Sequence, residues 1–274
     1  MKVTPRASLW AYLLSSCTYS ASAQREAWSD QFDETSTRTI PNDSMWTYEI
    51  GGDGWGNNEL QYYTSRPSNV ALDGGYLKLV AREQHNEAGA RHFTSGRIAT
   101  KDRLEIMYAD IEIRMKIPDL NAGLSPFIRA IGYDVEEVGW LEAGEITMLE
   151  MGEGTSILQG IVNNRVTSGA HWKGSDGGFA TYDGTFDSPV DMSQDFHTYR
   201  MTWNDDYIRT YVDGTKIWEM RISKDVCPHC SAFHKPHYLT IGLAVGGGFT
   251  DVNPATNRRE PEGKLLITNK DALQ

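Results

Sequence analysis

Apolar and polar residues alternate in short runs along most of this chain. Ile111, Ile113, Met115 and Ile117 interleave with Glu112, Arg114 and Lys116, and Pro118 ends the run. A period of two with one apolar face predicts a half-buried antiparallel strand. The run from Tyr207 to Val212 leads through Asp213-Gly214 into Thr215 to Trp218, and Asp-Gly between two such runs predicts a hairpin. Tyr76 to Ala81 and Tyr238 to Val245 supply further apolar strands. No window sustains a helical period, so the expected architecture is all-β, a sandwich of two antiparallel sheets packed face to face.

One apolar run breaks the pattern. In Trp140-Leu-Glu-Ala-Gly-Glu145-Ile-Thr-Met-Leu-Glu150, two glutamates five residues apart sit in what otherwise reads as a buried strand. A buried carboxylate costs stability unless it is paired or functional. Two of them, with Trp140 as a flat apolar surface upstream, fit chemistry on a sugar, where one carboxyl attacks and the other protonates the leaving oxygen. Side chains alternate across a strand, so positions 145 and 147 share a face and 150 falls on the other. A β-bulge absorbing one extra residue would bring Glu145 and Glu150 to the same side. The Cα span then corresponds to roughly 13 Å at about 3.3 Å per residue, which two side chains leaning together can close to the ~5 Å of a retaining glycosidase. The competing reading leaves Glu150 in solvent and Glu145 in a salt bridge.

The chain's 274 residues suffice for one large domain. Residues 1–23 stand apart: Lys2 and Arg6 precede an apolar run from Ala7 to about Ser16, and Ala21-Ser22-Ala23 offers small residues for cleavage, the layout of an export signal. Secretion of a domain spanning 24–274 is therefore expected. Leu14-Ser-Ser-Cys17 also resembles a bacterial lipoprotein box, which would instead anchor the protein by lipid on Cys17. The apolar run is about half the ~20 residues of a transmembrane helix. Removing residues 1–23, with two basic and no acidic groups, moves the formal charge from −11 to −13, a surface that repels nucleic acid and anionic membranes. A monomer is expected.

Beyond Cys17, only Cys227 and Cys230 remain, with His234 and His237 downstream. Thiolate and imidazole suit zinc, but the spacing is much shorter than a zinc finger's, and in an exported chain a local disulfide is the more natural use.

Several segments in order resemble the landmarks of family-16 glycoside hydrolases, most closely the laminarinase (endo-β-1,3-glucanase) branch. They are Gly54-Trp-Gly-Asn-Asn-Glu-Leu-Gln-Tyr-Tyr-Thr64, Phe93-Thr-Ser-Gly-Arg-Ile-Ala-Thr-Lys101, Gly144-Glu-Ile-Thr-Met-Leu-Glu150, His171-Trp172, Phe196-His197 with Trp203, and Leu243-Ala-Val-Gly-Gly247. The resemblance runs from about Trp28 to Phe249 and implies a jelly roll of the concanavalin A-like kind, with a concave glycan-binding groove and retaining double displacement. Carried over by position, Glu145 is the nucleophile and Glu150 the acid that becomes the base. Asn58 would bind sugar hydroxyls on the non-reducing side, or serve only as a turn residue. Arg97 would hold hydroxyls near the cleavage point, or pair with a carboxylate. Trp140 and Trp172 would stack on sugar faces, or belong to the core. His171 would orient a catalytic carboxylate or the leaving-group side, or be structural. No cofactor is required by this chemistry. A structural calcium occurs in some relatives, but Gln31 and the chain's C-terminal segment argue against it here.

Three departures from the family pattern matter. Thr147 stands where the family carries aspartate; it can still donate to Glu145 but adds no charge, so slower catalysis or an altered pH profile is expected. Ser125-Pro-Phe-Ile-Arg129 replaces a Trp-Pro-Ala-Phe-Trp run, removing two stacking rings and placing a guanidinium suited to sulfate or carboxylate in the groove. An anionic algal galactan is thus an alternative to β-1,3-glucan, unless Arg129 pairs with Glu136, Glu137 or Glu142. Third, Lys264-Leu-Leu-Ile-Thr268 is followed by no further strand-like run, which predicts a missing closing strand and an open sheet edge. A binding protein that has lost turnover is the rival from another class, and transglycosylation a third option.

Overall fold

The computed structural model describes residues 28–32, 39–85, 91–252 and 262–268. The expected export signal and Cys17 lie outside them.

The strands run β1 (Thr47–Tyr48), β2 (Gln61–Tyr63), β3 (Val70–Asp73), β4 (Tyr76–His85), β5 (Arg91–Ser95), β6 (Arg97–Ala99), β7 (Asp110–Lys116) and β8 (Leu124–Gly132). They continue with β9 (Glu145–Glu150), β10 (Arg165–Lys173), β11 (Phe179–Asp187), β12 (His197–Trp203), β13 (Tyr207–Val212), β14 (Thr215–Arg221), β15 (His237–Val245) and β16 (Gly263–Thr268). A seven-stranded sheet has the order β1-β6-β15-β8-β9-β10-β11. The second follows β14-β13-β12-β7-β16-β4-β5-β2, with β3 on β4. Pairing is antiparallel except between β2 and β5.

The predicted alternation builds the core. Ile98, Ile128, Ala130, Ile146, Val166, Ala170, Leu239, Ile241 and Leu243 of the first sheet meet Leu77, Leu79, Met115, Tyr199, Met201, Ile208, Leu265 and Ile267 of the second in one cluster. The outer face of the seven-stranded sheet is left for the polar partners on those strands. Asp213 and Gly214 take φ of 47° and 78°, the positive values a two-residue hairpin turn requires, and join β13 to β14 as expected.

Lys264–Thr268 lies inside the sheet, since β16 pairs with β4 on one side and with β7 on the other, with Leu265 and Ile267 facing the core; the place of the expected closing strand, after Thr268, is outside the described residues. Cys227 and Cys230 are joined in the expected disulfide, so their sulfurs are not zinc ligands. His234 bonds Tyr108 and the Ile222 carbonyl instead.

The bulge is present. Across β10, Thr167 pairs with Glu150 and Gly169 with Thr147, so Ser168 alone stands opposite Met148 and Leu149. Both of these are buried in the core, which turns Glu145, Thr147 and Glu150 to the other face. The Ser168 hydroxyl donates to the Met148 carbonyl at 2.8 Å, satisfying a backbone group that the irregular ladder frees. Ser168→Ala should cost about 1 kcal/mol of stability, read by denaturant unfolding, and should lower turnover by loosening the bulge; unchanged stability and turnover would show that the bulge needs no such tie.

Candidate active site

Four elements converge on β9. A short helix, Trp140–Ala143, is bracketed by Gly139 and Gly144, whose φ values of 85° and 81° suit glycine alone among common residues. This tight turn brings the Trp140 indole back over the strand it precedes, where Nε1 donates to Glu145 Oε2 at 2.9 Å. Thr147 Oγ1 donates to Glu145 Oε1 at 3.3 Å, as its position two residues along the same face allows.

β8 supplies Arg129, the cross-strand partner of Thr147. Its Nη2 donates to Glu150 Oε1 at 2.8 Å and its Nε lies 3.5 Å from Glu145 Oε1. One guanidinium therefore touches both carboxylates. This overturns the pairing offered for Arg129 from the sequence: its carboxylate partners are Glu145 and Glu150 and not Glu136, Glu137 or Glu142. Glu136 and Glu142 are bound by Lys101 and Lys173.

β10 supplies His171 directly opposite Glu145. Its Nδ1 stands 3.6 Å from Glu145 Oε1, an ion-pair distance too long for a hydrogen bond, while Nε2 bonds Asp183 Oδ1 at 3.0 Å. Asp183 reaches across from β11 because its β10 partner is Gly169, where a Cβ would meet the carboxylate at 1.8 Å. Thr181 donates to the other Asp183 oxygen at 2.6 Å.

The electrostatics separate the two glutamates. Burial alone would raise both carboxyls. At Glu145 the Arg129 charge, His171 and the Trp140 hydrogen bond outweigh it and hold the group at about 2. At Glu150 burial prevails, helped by the negative charge of Glu145, and the group titrates above its ordinary range despite Arg129. Burial disfavours the His171 cation, yet Asp183 and Glu145 raise it to about 9.

The remaining expected residues fall elsewhere. Trp172 packs against the core and edge-on to Phe233; since neighbours on a strand face opposite ways, it cannot share the outer face with His171, and its stacking role is withdrawn. Arg97, two strands beyond Arg129, gives its Nε to Glu49 at 2.5 Å and lies 4.3 Å over Trp55, so it takes the paired role. Asn58 is exposed with φ 55°, a turn residue. Its neighbour Asn57 ties that turn to the loop after β15 by accepting from the Phe249 amide at 3.0 Å.

Sequence reasoning missed three contributors. Glu59 is buried and accepts from Gln61 Nε2 at 2.6 Å, and its charge acts on Arg129 and Glu150; its place inside the Gly54–Thr64 motif was the available signal. Phe127 lies under the Arg129 guanidinium at 4.4 Å, with its ring over Gly242. Asp183 had no signal in its own segment.

A β-sandwich whose outer sheet face gathers two unlike carboxyls beside an indole belongs to the class of proteins that handle glycan chains. Comparison with known proteins makes the assignment: residues 57–262 match glycosyl hydrolases family 16, and the chain belongs to that family. It is accordingly a glycoside hydrolase. It is 32% identical over 231 residues to a β-glucanase of Rhodothermus marinus, covering 81% of this chain and 76% of that one. It is 31% identical over 240 residues to a glucan endo-1,3-β-glucosidase A1 of Niallia circulans, covering 81% of this chain but 34% of that protein. Among solved structures it superposes on the laminarinase of Rhodothermus marinus with a TM-score of 0.73 at 29% identity, covering 88% and 93% of the two chains. A Bacteroides ovatus mixed-linkage glucan enzyme of the family, in complex with its product, gives 0.72 at 26%, covering 87% and 96%.

Because Asp183 holds the His171 proton in place, Asp183→Asn should move the His171 ring midpoint from about 9 down toward its ordinary value. An NMR pH titration of the imidazole reads this directly, and an unmoved midpoint would remove Asp183 from the site. In the wild type, the stability contributed by His171 should be complete below its unfolded value and fade as pH rises through the folded one.

Proposed function

We propose that the protein is a secreted, endo-acting β-1,3-glucanase that works by retaining double displacement. The observation that carries the mechanism is the gathering, on one face and around one guanidinium, of two carboxyls in unlike surroundings, Glu145 held low and Glu150 pushed up by burial. Glu145, at about 2, attacks the anomeric carbon as the glycosidic bond breaks, and Glu150 gives its proton to the departing oxygen. The resulting ester is a glycosyl-enzyme. Glu150, now ionised, takes a proton from water as that water attacks the same carbon and releases Glu145. Trp140 orients the attacking carboxylate through its 2.9 Å hydrogen bond, and its partly exposed ring, stacked on Phe179 at 5.8 Å, adds an aromatic surface beside the pair.

The preference for β-1,3-glucan is supported by the names of the relatives, a glucan endo-1,3-β-glucosidase and several laminarinases. Secretion is supported by the composition of residues 1–23; mass measurement of the exported protein should show a chain that has lost them.

Laminarin, mixed-linkage glucan, agarose, porphyran and carrageenan should be compared by the new reducing ends they yield. Laminarin is expected to be cut best, into oligosaccharides whose first-formed ends have the β configuration by NMR, and Glu145→Gln should lower turnover by at least about 10³-fold. Preferential release from a sulfated galactan would refute the glucan assignment, and α-configured products would refute retention. With Glu145 setting the acidic limb and Glu150 the basic one, kcat/KM should follow a bell in pH.

A further inference from the structure

The mechanism above leaves Arg129 without a task, although among the described residues no other side chain touches both carboxyls. We propose that Arg129 is a positioning residue: delivered by β8, its guanidinium bridges Glu145 and Glu150 and sets the separation at which the pair works. This rests on the reading of those two residues as the reacting groups.

The geometry supports a clamp more than an incidental ion pair. The guanidinium is fixed from below by the Phe127 ring at 4.4 Å, and that ring is itself seated over Gly242, where any Cβ would meet it at 2.3 Å. Its side chain is 16% exposed, so solvent screening is slight. The residue directly across the ladder is Thr147, whose hydroxyl turns to Glu145 and presents no anion to draw the guanidinium away. Nη2 makes a full hydrogen bond to Glu150, whereas Nε makes none and stands 3.5 Å from Glu145. The firm contact is thus with the proton-transfer group, and the loose one with the group that must move toward carbon.

This asymmetry has a consequence over the catalytic cycle. In the free enzyme the Glu145 anion shares the Arg129 charge and its own negative charge favours the protonated form of Glu150. Once Glu145 is esterified it carries no charge, and the whole guanidinium acts on Glu150. That favours the Glu150 carboxylate at the stage where it must accept a proton from water. The other charged groups facing the pair are His171 from β10, with Asp183 behind it on β11, and Glu59 from the turn before β2, with the Tyr63 hydroxyl of β2 beside it. None of these spans both carboxyls.

Full-length protein with 13C-carboxyl-labelled glutamate should be titrated by NMR as wild type, Arg129→Met and Arg129→Lys, the two signals being assigned with Glu145→Gln and Glu150→Gln. Removing the cation should raise both midpoints, because Arg129 lowers both. Both limbs of the kcat/KM profile on laminarin should then move to higher pH, with kcat falling by about 10²-fold and KM changing by less than ~3-fold, within the scatter of uniform binding. Lysine keeps the charge but not the fork, so Arg129→Lys should fall between the two. If Arg129→Met does not fold, Arg129→Lys decides alone. Unmoved carboxyl midpoints, or a loss confined to KM, would overturn the proposal. The titration needs no substrate, so a wild type inert on laminarin would defeat the glucanase reading while leaving this one to be judged on the midpoints.

Discussion

One surplus residue in one strand governs this site. Strand geometry assigns Glu145 and Glu150 to opposite faces, one toward the core and one away. The bulge at Met148 and Leu149 cancels that assignment by sending both apolar side chains inward, so a single irregularity completes the hydrophobic core and assembles the polar pair. Core and chemistry are therefore not separable here. A mutation that restored regular pairing would push a carboxylate into the sandwich interior and an apolar side chain out of it, a penalty of several kcal/mol.

Once both carboxyls are gathered on one face, each largely buried, electrostatics decides what they can do. Two buried like charges repel, and burial penalises each of them. The surrounding strands answer unequally: Glu145 has contacts to Arg129, His171, Trp140 and Thr147, while Glu150 is bonded by Arg129. The inequality sets one carboxyl low and leaves the other high, the division of labour that acid and nucleophile need. It also makes the site fragile, since removing one partner of a buried pair costs roughly 3–5 kcal/mol. Asp183 belongs to the same network at one remove, and Gly169 is the concession in β10 that lets it reach His171.

The legible part of the fold was its local periodicity: the alternating run of β7, the Asp213-Gly214 hairpin and the need for a bulge between Glu145 and Glu150 all follow from residue order. The hydrogen bond from Thr147 to Glu145 was legible for the same reason, since both positions lie on one strand. The partner of Arg129 was not. It depends on the register between β8 and β9, which are separated by a connection containing two short helices, and nothing in the order of residues fixes that register. Asp183 was hidden likewise, in a strand that meets the site only through two successive pairings. Trp172 is different: alternation applied to His171-Trp172 forbids both from facing the sugar, so its placement in the core was available from the rule that found the bulge. The interior place of Gly263–Thr268 between β4 and β7 was likewise hidden, since it depends on pairings with strands far off in the chain.

The account makes Glu145 the atom donor to carbon and Glu150 its proton partner, and trapping the covalent intermediate tests this most directly. The protein should be incubated with an activated 2-deoxy-2-fluoro laminaribiosyl donor and the labelled peptide identified by mass spectrometry. The account predicts a single added disaccharide, carried as an ester on Glu145. A label on Glu150, or a donor consumed with no covalent adduct, would contradict it.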